Sequence, residues 1–468
     1  MDGHRSVPDD ALIEMFELLP AKSLHRFKCV SKSWCAMVAD PLNRHRFAQT
    51  LAGFLCLDVF AASASGTAAG TESCHDGVQD DDGRGESSRR TCPHTTRLAK
   101  SNGRATRRFV NVSRMAEPLI DATFSFLPPP PPPPLSGEGF FFRDVILDAR
   151  DGLILLARVH DHDSSSSPDH HPPASYFVCN PATSRWAVVP SSGWVPSTSQ
   201  RTTRTFLLFD AATSPHVFHL IQFRVSDMDT VQAIHTYSSA DGAWTDRELH
   251  WHAGGWRHWG RSMALIQPGT GAAVAIAGGS GLLLLHLVVD TDGTTGPNNL
   301  VAVDEEGNVR RAIPLPRRDV AEKDWHSVFV SVSQGRLHFV MCVRPPHGCL
   351  SEEQPLKMLV WVLGDHDDDA AGDGEWVLKH TVSFPELFGR IACQFRVEYS
   401  VVAVHPDGDW VFFVRHWDRK LVAYDMGRRE VIVVADLGDG GGELGGDELA
   451  TPYVPLYCES LALANGMN

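Results

Sequence analysis

The amino-acid sequence predicts a multidomain chain: a small all-α unit at the N-terminus, followed by an all-β, propeller-like domain with disordered insertions. Three observations carry that prediction. Apolar residues recur at helical spacing only within residues 7–47. Beyond residue 151 a short apolar strand, a polar turn and a second strand return at a nearly constant interval. Between these regions the composition shifts to Ser, Gly, Thr, Asp and Arg, with few large apolar side chains.

The helical segment opens at Val7-Pro8-Asp9-Asp10. Proline suits the first turn, where its missing N–H is no loss, and the two carboxylates face the positive end of the helix dipole. Leu12, Ile13, Phe16 and Leu19 then form one apolar stripe over about three turns, stopped by Pro20. Ser23 can cap a second short helix carrying Leu24, Phe27 and Val30. Ser31 can cap a third carrying Trp34 and Val38, which ends at Asp40-Pro41. About 40 residues without metal or disulfide seldom stabilise themselves, so a larger partner is expected to complete the burial.

Val7-Pro8-Asp9-Asp10, Leu19-Pro20-Ala21-Lys22-Ser23-Leu24, Arg26-Phe27, Cys29-Val30-Ser31-Lys32-Ser33-Trp34 and Asp40-Pro41, taken in order, resemble the F-box, especially its plant versions. Val7, where Leu is usual, and Met15-Phe16, where an Ile-Leu pair is common, are departures that bear on affinity. The resemblance implies docking on the Skp-type adaptor of a cullin-based ubiquitin ligase, with the remaining chain holding the protein to be ubiquitinated. It also implies that Pro8, Ile13, Leu19, Pro20, Leu24, Val30 and Trp34 form the docking surface or directly support it.

Residues 1–50 are thus expected to be the helical unit, 51–60 the first strand of the β domain, 61–108 a disordered insertion and 109–468 the propeller-like domain. The insertion has too few apolar residues to offset its ordering entropy. Two loops of low complexity are expected inside the β domain. Residues 128–137 hold a proline run suited to a stiff polyproline spacer, and 160–173 hold His160, His162, His170 and His171. Those histidines can bind metal, but nothing fixes a tetrahedral geometry, so no metal site is expected.

The repeat is marked by Asn180, Ser239, Asp304, Asp365 and Asp425, at intervals of 59, 65, 61 and 60 residues. Several short strands and a hairpin per unit fit a propeller blade. The ring is expected to close with strands from both ends of the domain, residues 53–60 and 455–462, because closure removes exposed sheet edges. The same phrases, including Ser333-Gln334-Gly335-Arg336-Leu337, Val404-His405-Pro406 and Tyr453-Val454-Pro455, resemble the propeller-like region of plant F-box proteins. That resemblance supplies no target-binding residue. Residue types do suggest one patch: Trp251, Trp256, Arg257 and Trp259 concentrate hot-spot side chains around two glycines, with inter-blade core as the competing reading.

A net charge of −15 and a pI near 5.8 argue against nucleic acid as a partner. Residues 271–289 approach the length of a membrane span, but Gly278-Gly279-Ser280-Gly281 is turn chemistry, so strand, turn, strand is expected and no membrane partner. Those glycines match no phosphate loop. Asp365-His366-Asp367-Asp368-Asp369 begins like a calcium loop, yet the sixth position is Ala370 and the twelfth Trp376. No catalytic residue, cofactor or metal is therefore expected. Ten cysteines without a C-x-x-C pair, with Cys29, Cys56, Cys179 and Cys342 in apolar runs, read as buried thiols of a reducing compartment, cytoplasm and/or nucleus. No apolar signal-peptide core is seen near the N-terminus. The function expected is a non-catalytic, substrate-recruiting subunit of an SCF-type ligase, bridging adaptor, cullin and an unknown target; the alternative is a scaffold or adaptor competitor without a ligase.

Overall fold

The computed structural model describes most of residues 7–39, then 51–59, 105–112, 120–129, 141–161 and 175–193, most of 203–247, parts of 273–295, 299–316 and most of 325–456. Near the N-terminus lies α1 (Asp9–Glu17). Pro8 stands just ahead of it as the capping residue, its carbonyl accepting from Leu12 N at 3.1 Å. Asp9 and Asp10 occupy the first turn, as the dipole favours. Ser23, Leu24 and Phe27 are helical, and α2 (Lys32–Ala39) follows. Ser31 caps α2 by accepting from Trp34 N at 3.1 Å. Leu12, Ile13, Phe16, Leu24 and Met37 are buried together, with Leu19, Phe27 and Trp34 partly buried against them. The rings of Phe16, Phe27 and Trp34 sit 5.1 to 5.8 Å apart in tilted or edge-on contacts.

Beyond this bundle the described elements are strands, apart from the single turn of α3 (Phe384–Phe388). A three-stranded sheet is built from β1 (Gly53–Val59), β2 (Ala105–Asn111) and, from the far end of the sequence, β25 (Ala450–Tyr453), in the order β2-β1-β25. Five four-stranded sheets follow. The first holds β3 (Phe141–Arg150), β4 (Leu153–Asp161), β5 (Ser175–Asn180) and β6 (Arg185–Val189), and the second β7 (Thr203–Leu208), β8 (His219–Val225), β9 (Val231–Ser238) and β10 (Ala243–Arg247). In the third, β11 (Ala273–Val274), β12 (Leu282–Leu287), β15 (Asn299–Val303) and β16 (Val309–Pro314) pair in that order, and β13 (Asp290–Thr291) with β14 (Thr294–Thr295) forms a side hairpin. The fourth holds β17 (Trp325–Ser333), β18 (Arg336–Val343), β19 (Lys357–Leu363) and β20 (Trp376–Ser383). The fifth holds β21 (Tyr399–Val404), β22 (Trp410–Arg415), β23 (Lys420–Asp425) and β24 (Glu430–Asp436). Each four-stranded sheet is an antiparallel meander, the blade of a β-propeller.

The first strand of each blade faces the ring's axis: β3 lies against β7, β17 against β21, and β25 against both β21 and β3. Middle strands are covered on both faces by neighbouring blades, so they read as unbroken apolar runs, such as Leu153 to Ala157 in β4, all fully buried. Outermost strands have no such cover, and Val377 of β20 and Val433 of β24 are exposed.

The sequence repeat has a physical origin in the hairpin that joins the third and fourth strands of a blade, as three of the described hairpins show. Asn180 Oδ1 accepts from Ala182 N, Asp304 Oδ1 from Glu306 N and Asn308 N, and Asp425 Oδ1 from Gly427 N and Arg428 N, at 2.8 to 3.0 Å. Residues in the left-handed region finish these turns: Ser184, Gly242, Gly307 and Arg429, with φ between 55° and 81°.

Several expectations differ from the structure. The closing strand is β25, whereas Pro455 and Leu456 are not in a strand and 457–462 lie outside the described residues. The last four residues of the expected insertion, 105–108, belong to β2, because pairing with β1 supplies the order their composition lacks. β4 runs through His160 and Asp161, the start of the expected loop 160–173, whose remainder lies outside the described residues. Of 128–137, Pro128 and Pro129 are described, and Pro128 O accepts from Arg158 Nη1 at 2.9 Å. Between Ala273 and Leu282 the turn itself is not described, but the strands on either side pair antiparallel.

Candidate protein-interaction sites

The helical bundle buries one stripe of α1 and leaves apolar side chains on its other faces. Leu12, Ile13 and Phe16 point inward, while Met15 is 57% exposed and Leu18 85%. Val7 and Val30 are exposed as well. Among the residues expected at the adaptor interface, Pro8 and Val30 are exposed and Leu19 is half-buried at the bundle's edge. Ile13 and Leu24 are core, and Trp34 is wedged on Phe16 and Phe27, so these three hold the bundle's shape. Pro20 lies outside the described residues. Met15 and Leu18 did not stand out as interface residues, although both are apolar positions off the buried stripe, which is the signal that marks them. A bundle this small with four exposed apolar side chains has a surface suited to docking.

On the propeller, Trp251, Trp256, Arg257 and Trp259 lie outside the described residues. What is described includes polar groups that tie neighbouring blades together. Gln222, fully buried, joins blades by donating to Tyr176 Oη at 2.7 Å and accepting from Ser192 Oγ at 2.6 Å. Lys379 Nζ of β20 meets Asp409 Oδ1 at 2.6 Å across the next blade boundary, and this ammonium holds the Asp409 carboxyl below its ordinary range. Burial pushes the Cys179 thiol far up and the Cys393 thiol up to about 11, so neither is a ready nucleophile. Cys56, Cys179, Cys342 and Cys393 are buried thiols. Among the described residues no group of three or more His, Cys, Asp or Glu converges on a metal position, and no helix is long and apolar enough to cross a membrane. At the ring's axis the strands β3, β17, β21 and β25 line a cavity of about 160 Å³.

Comparison with known proteins agrees with this architecture. Residues 4–49 match the F-box-like family, and residues 141–447, more than half of the chain, match the family described as F-box protein At3g26010-like, beta-propeller. F-box protein At1g47340 of Arabidopsis thaliana is 45% identical over 42 residues, which is 9% of this chain and 9% of that relative's length. Among solved structures, the α-L-arabinofuranosidase Arb93A of Fusarium graminearum is 11% identical, with a TM-score of 0.31 over 66% of this chain and 80% of its own. A GH43_1 enzyme of Xanthomonas citri, solved with xylotriose, is 10% identical with a TM-score of 0.28 over 67% and 87%. With an F-box-like helical segment ahead of a propeller matched through all five of its four-stranded blades, the chain belongs to the F-box protein At3g26010-like, beta-propeller family.

Proposed function

We propose that this chain is the substrate-recruiting subunit of an SCF-type cullin-based E3 ubiquitin ligase, without catalytic chemistry or cofactor of its own, working in the cytoplasm and/or nucleus. The observation that carries the reading is the exposed apolar surface of a small helical bundle in a segment that matches the F-box. Val7, Pro8, Met15, Leu18, Leu19, Pro20 and Val30 would meet the Skp-type adaptor, with Ile13, Leu24 and Trp34 holding them in place. The propeller would hold a target protein, raising the effective concentration of its lysines near the ubiquitin-loaded enzyme. Trp251, Trp256, Arg257 and Trp259 are assigned to target capture.

Co-expression of the tagged full chain with a Skp-type adaptor and cullin tests the reading. Recovery of both in stoichiometric amounts is expected; an adaptor that arrives without cullin refutes the ligase. Proximity labelling with wild type and with Trp256→Ala/Arg257→Ala/Trp259→Ala then tests the target patch. Proteins labelled only by wild type are expected, at unchanged melting temperature and adaptor binding, and a large fall in melting temperature would make the cluster structural.

A further inference from the structure

The sheet that closes the ring is one strand shorter than the five blades. β25, β1 and β2 take the places that the first three strands hold in a four-stranded blade, and among the described strands none pairs with the outer side of β2. The register fixes which groups line that side. Gly53 opposes Asn111 while Val112 N donates to Ala52 O, so Val110, Arg108 and Thr106 exchange hydrogen bonds with β1, and the N–H and C=O of Phe109 point away from it. An edge of this kind is a template for one more strand.

The flanking blades say what that strand would carry. Phe54 of β1 meets Phe412 with ring centroids 5.0 Å apart. From Phe412 the line across the fifth blade runs through Ala423 to Ile432, just as the line from Phe54 runs through Val110 to the place of a fourth strand. Ile432 is 39% exposed. On the other flank, Leu156 and Phe177 of the first blade share one cluster with Leu55 and Phe109, and their line ends at Val188, 47% exposed. An added strand would thus lie between Ile432 and Val188, which favours apolar side chains opposite Val110 and Phe109. The next two residues of β2 turn to opposite faces: Arg108 donates from Nη2 to Asp436 O of the fifth blade, and Arg107 lies over the Phe124 ring on the side of the first. Both are half-buried, and a carboxylate opposite either is favoured as a cross-strand pair. We propose that the outer edge of β2 is a docking site for an extended segment of a partner protein, added antiparallel as the fourth strand of this sheet. Two adjacent apolar residues followed by two acidic ones would oppose Val110, Phe109, Arg108 and Arg107 in that order. Main-chain hydrogen bonds to Phe109 would supply affinity, and the side chains selectivity. The site uses no residue of the helical bundle, and the inference does not depend on the ligase reading.

Titration of the full chain with labelled peptides, read by fluorescence anisotropy and by hydrogen exchange resolved to single amides, tests it. The probe is Ser-Thr-Val-Val-Glu-Glu-Thr-Ser with blocked ends; one control carries Lys for both Glu, and another Pro for the second Val, whose N–H would bond Phe109 O. In the free chain the Phe109 amide should exchange fast and the Val110 amide, bonded to β1, slowly. Saturable binding of the probe is expected, about tenfold tighter than either control, with exchange at Phe109 slowed on binding. Arg107→Glu/Arg108→Glu should reverse the preference between the Glu and Lys peptides. Absence of saturable binding, equal affinity for either control, exchange at Phe109 unchanged by the probe, or a Glu preference retained by the double variant overturns the proposal. A Phe109 amide already slow in the free chain overturns it as well, and its release on deletion of 63–90 would make the chain's own insertion the occupant. Should the double variant fail to fold, the peptide comparison and the exchange on wild type decide.

Discussion

Leu18 and Leu24 are the same residue type six positions apart, yet their surroundings assign them different work. Leu24 is 3% exposed within the bundle's core, and Leu18 is 85% exposed. Leu24→Ala should therefore destabilise the helical bundle by about 2–5 kcal/mol, through lost transfer energy and the cavity left behind. Leu18→Asp should leave helix content unchanged by circular dichroism and weaken adaptor binding at least tenfold, as for a side chain at the centre of an interface. Equal loss of helicity in both variants would refute the division. Asn180 offers a second single-residue test. Besides closing its own turn it donates from Nδ2 to Leu456 O at 2.7 Å, 276 positions away in sequence and fully buried. Asn180→Ala removes that partner and leaves a carbonyl unsatisfied, a loss of about 1–3 kcal/mol. An unchanged melting temperature would show that Leu456 is held by packing alone.

At the scale of elements, the turns at Asn180, Asp304 and Asp425 were legible because the chemistry of a tight turn is local. Asn or Asp at the turn's start accepts from backbone two to four residues on, so the same residue types return in these three blades. The closing strand was not legible for the opposite reason. Ala450-Thr451-Pro452-Tyr453 contains a proline, which argues against a central strand, but β25 is an edge strand, where a missing N–H is tolerated. Leu456, inside the segment 455–462 expected to close the ring, packs instead against Gly152, where any Cβ would lie within 2.5 Å of Leu456 backbone and side-chain atoms. The bundle's buried stripe was plain from spacing, whereas the exposure of Met15 and Leu18 depends on how little of α1 the short helices cover. Deleting 450–468 should lower the melting temperature of the propeller far more than deleting 63–90, whose composition forms no core. The reverse ranking would reject closure through β25.

For the molecule as a whole, the described histidines with shifted acidity lean one way. His219, His235, His338, His380 and His405 are all held below the ordinary imidazole range, in each case chiefly by burial. His338 shows the geometry: Nδ1 lies 3.1 Å from Arg336 O and Nε2 lies 3.4 Å from Lys379 Nζ, an arrangement for a neutral ring donating from Nδ1 and accepting at Nε2. Asp409, bound to the same Lys379, favours the cation more weakly than burial opposes it. An unfolded chain takes up protons at these rings as pH falls through about 6.5, while the folded chain resists. The unfolded state then binds more protons, so stability drops with falling pH. At about 0.5 M salt, where the repulsion of a net −15 chain is screened, the melting temperature should fall between pH 7.5 and pH 5.5. A flat or rising profile would refute it.

Closure by β25 also sets an order of events during synthesis. β1 is made first, and its partner β25 emerges nearly 400 residues later. At roughly 5–20 residues per second, the ribosome leaves the β1 edge without that partner for about 20–80 s while blade after blade folds behind it. For that interval the nascent chain is an open arc with a sticky end. A premature stop at or before codon 450 would remove β25 and make the arc permanent, and its product is expected to aggregate through β1 instead of folding with a small local defect.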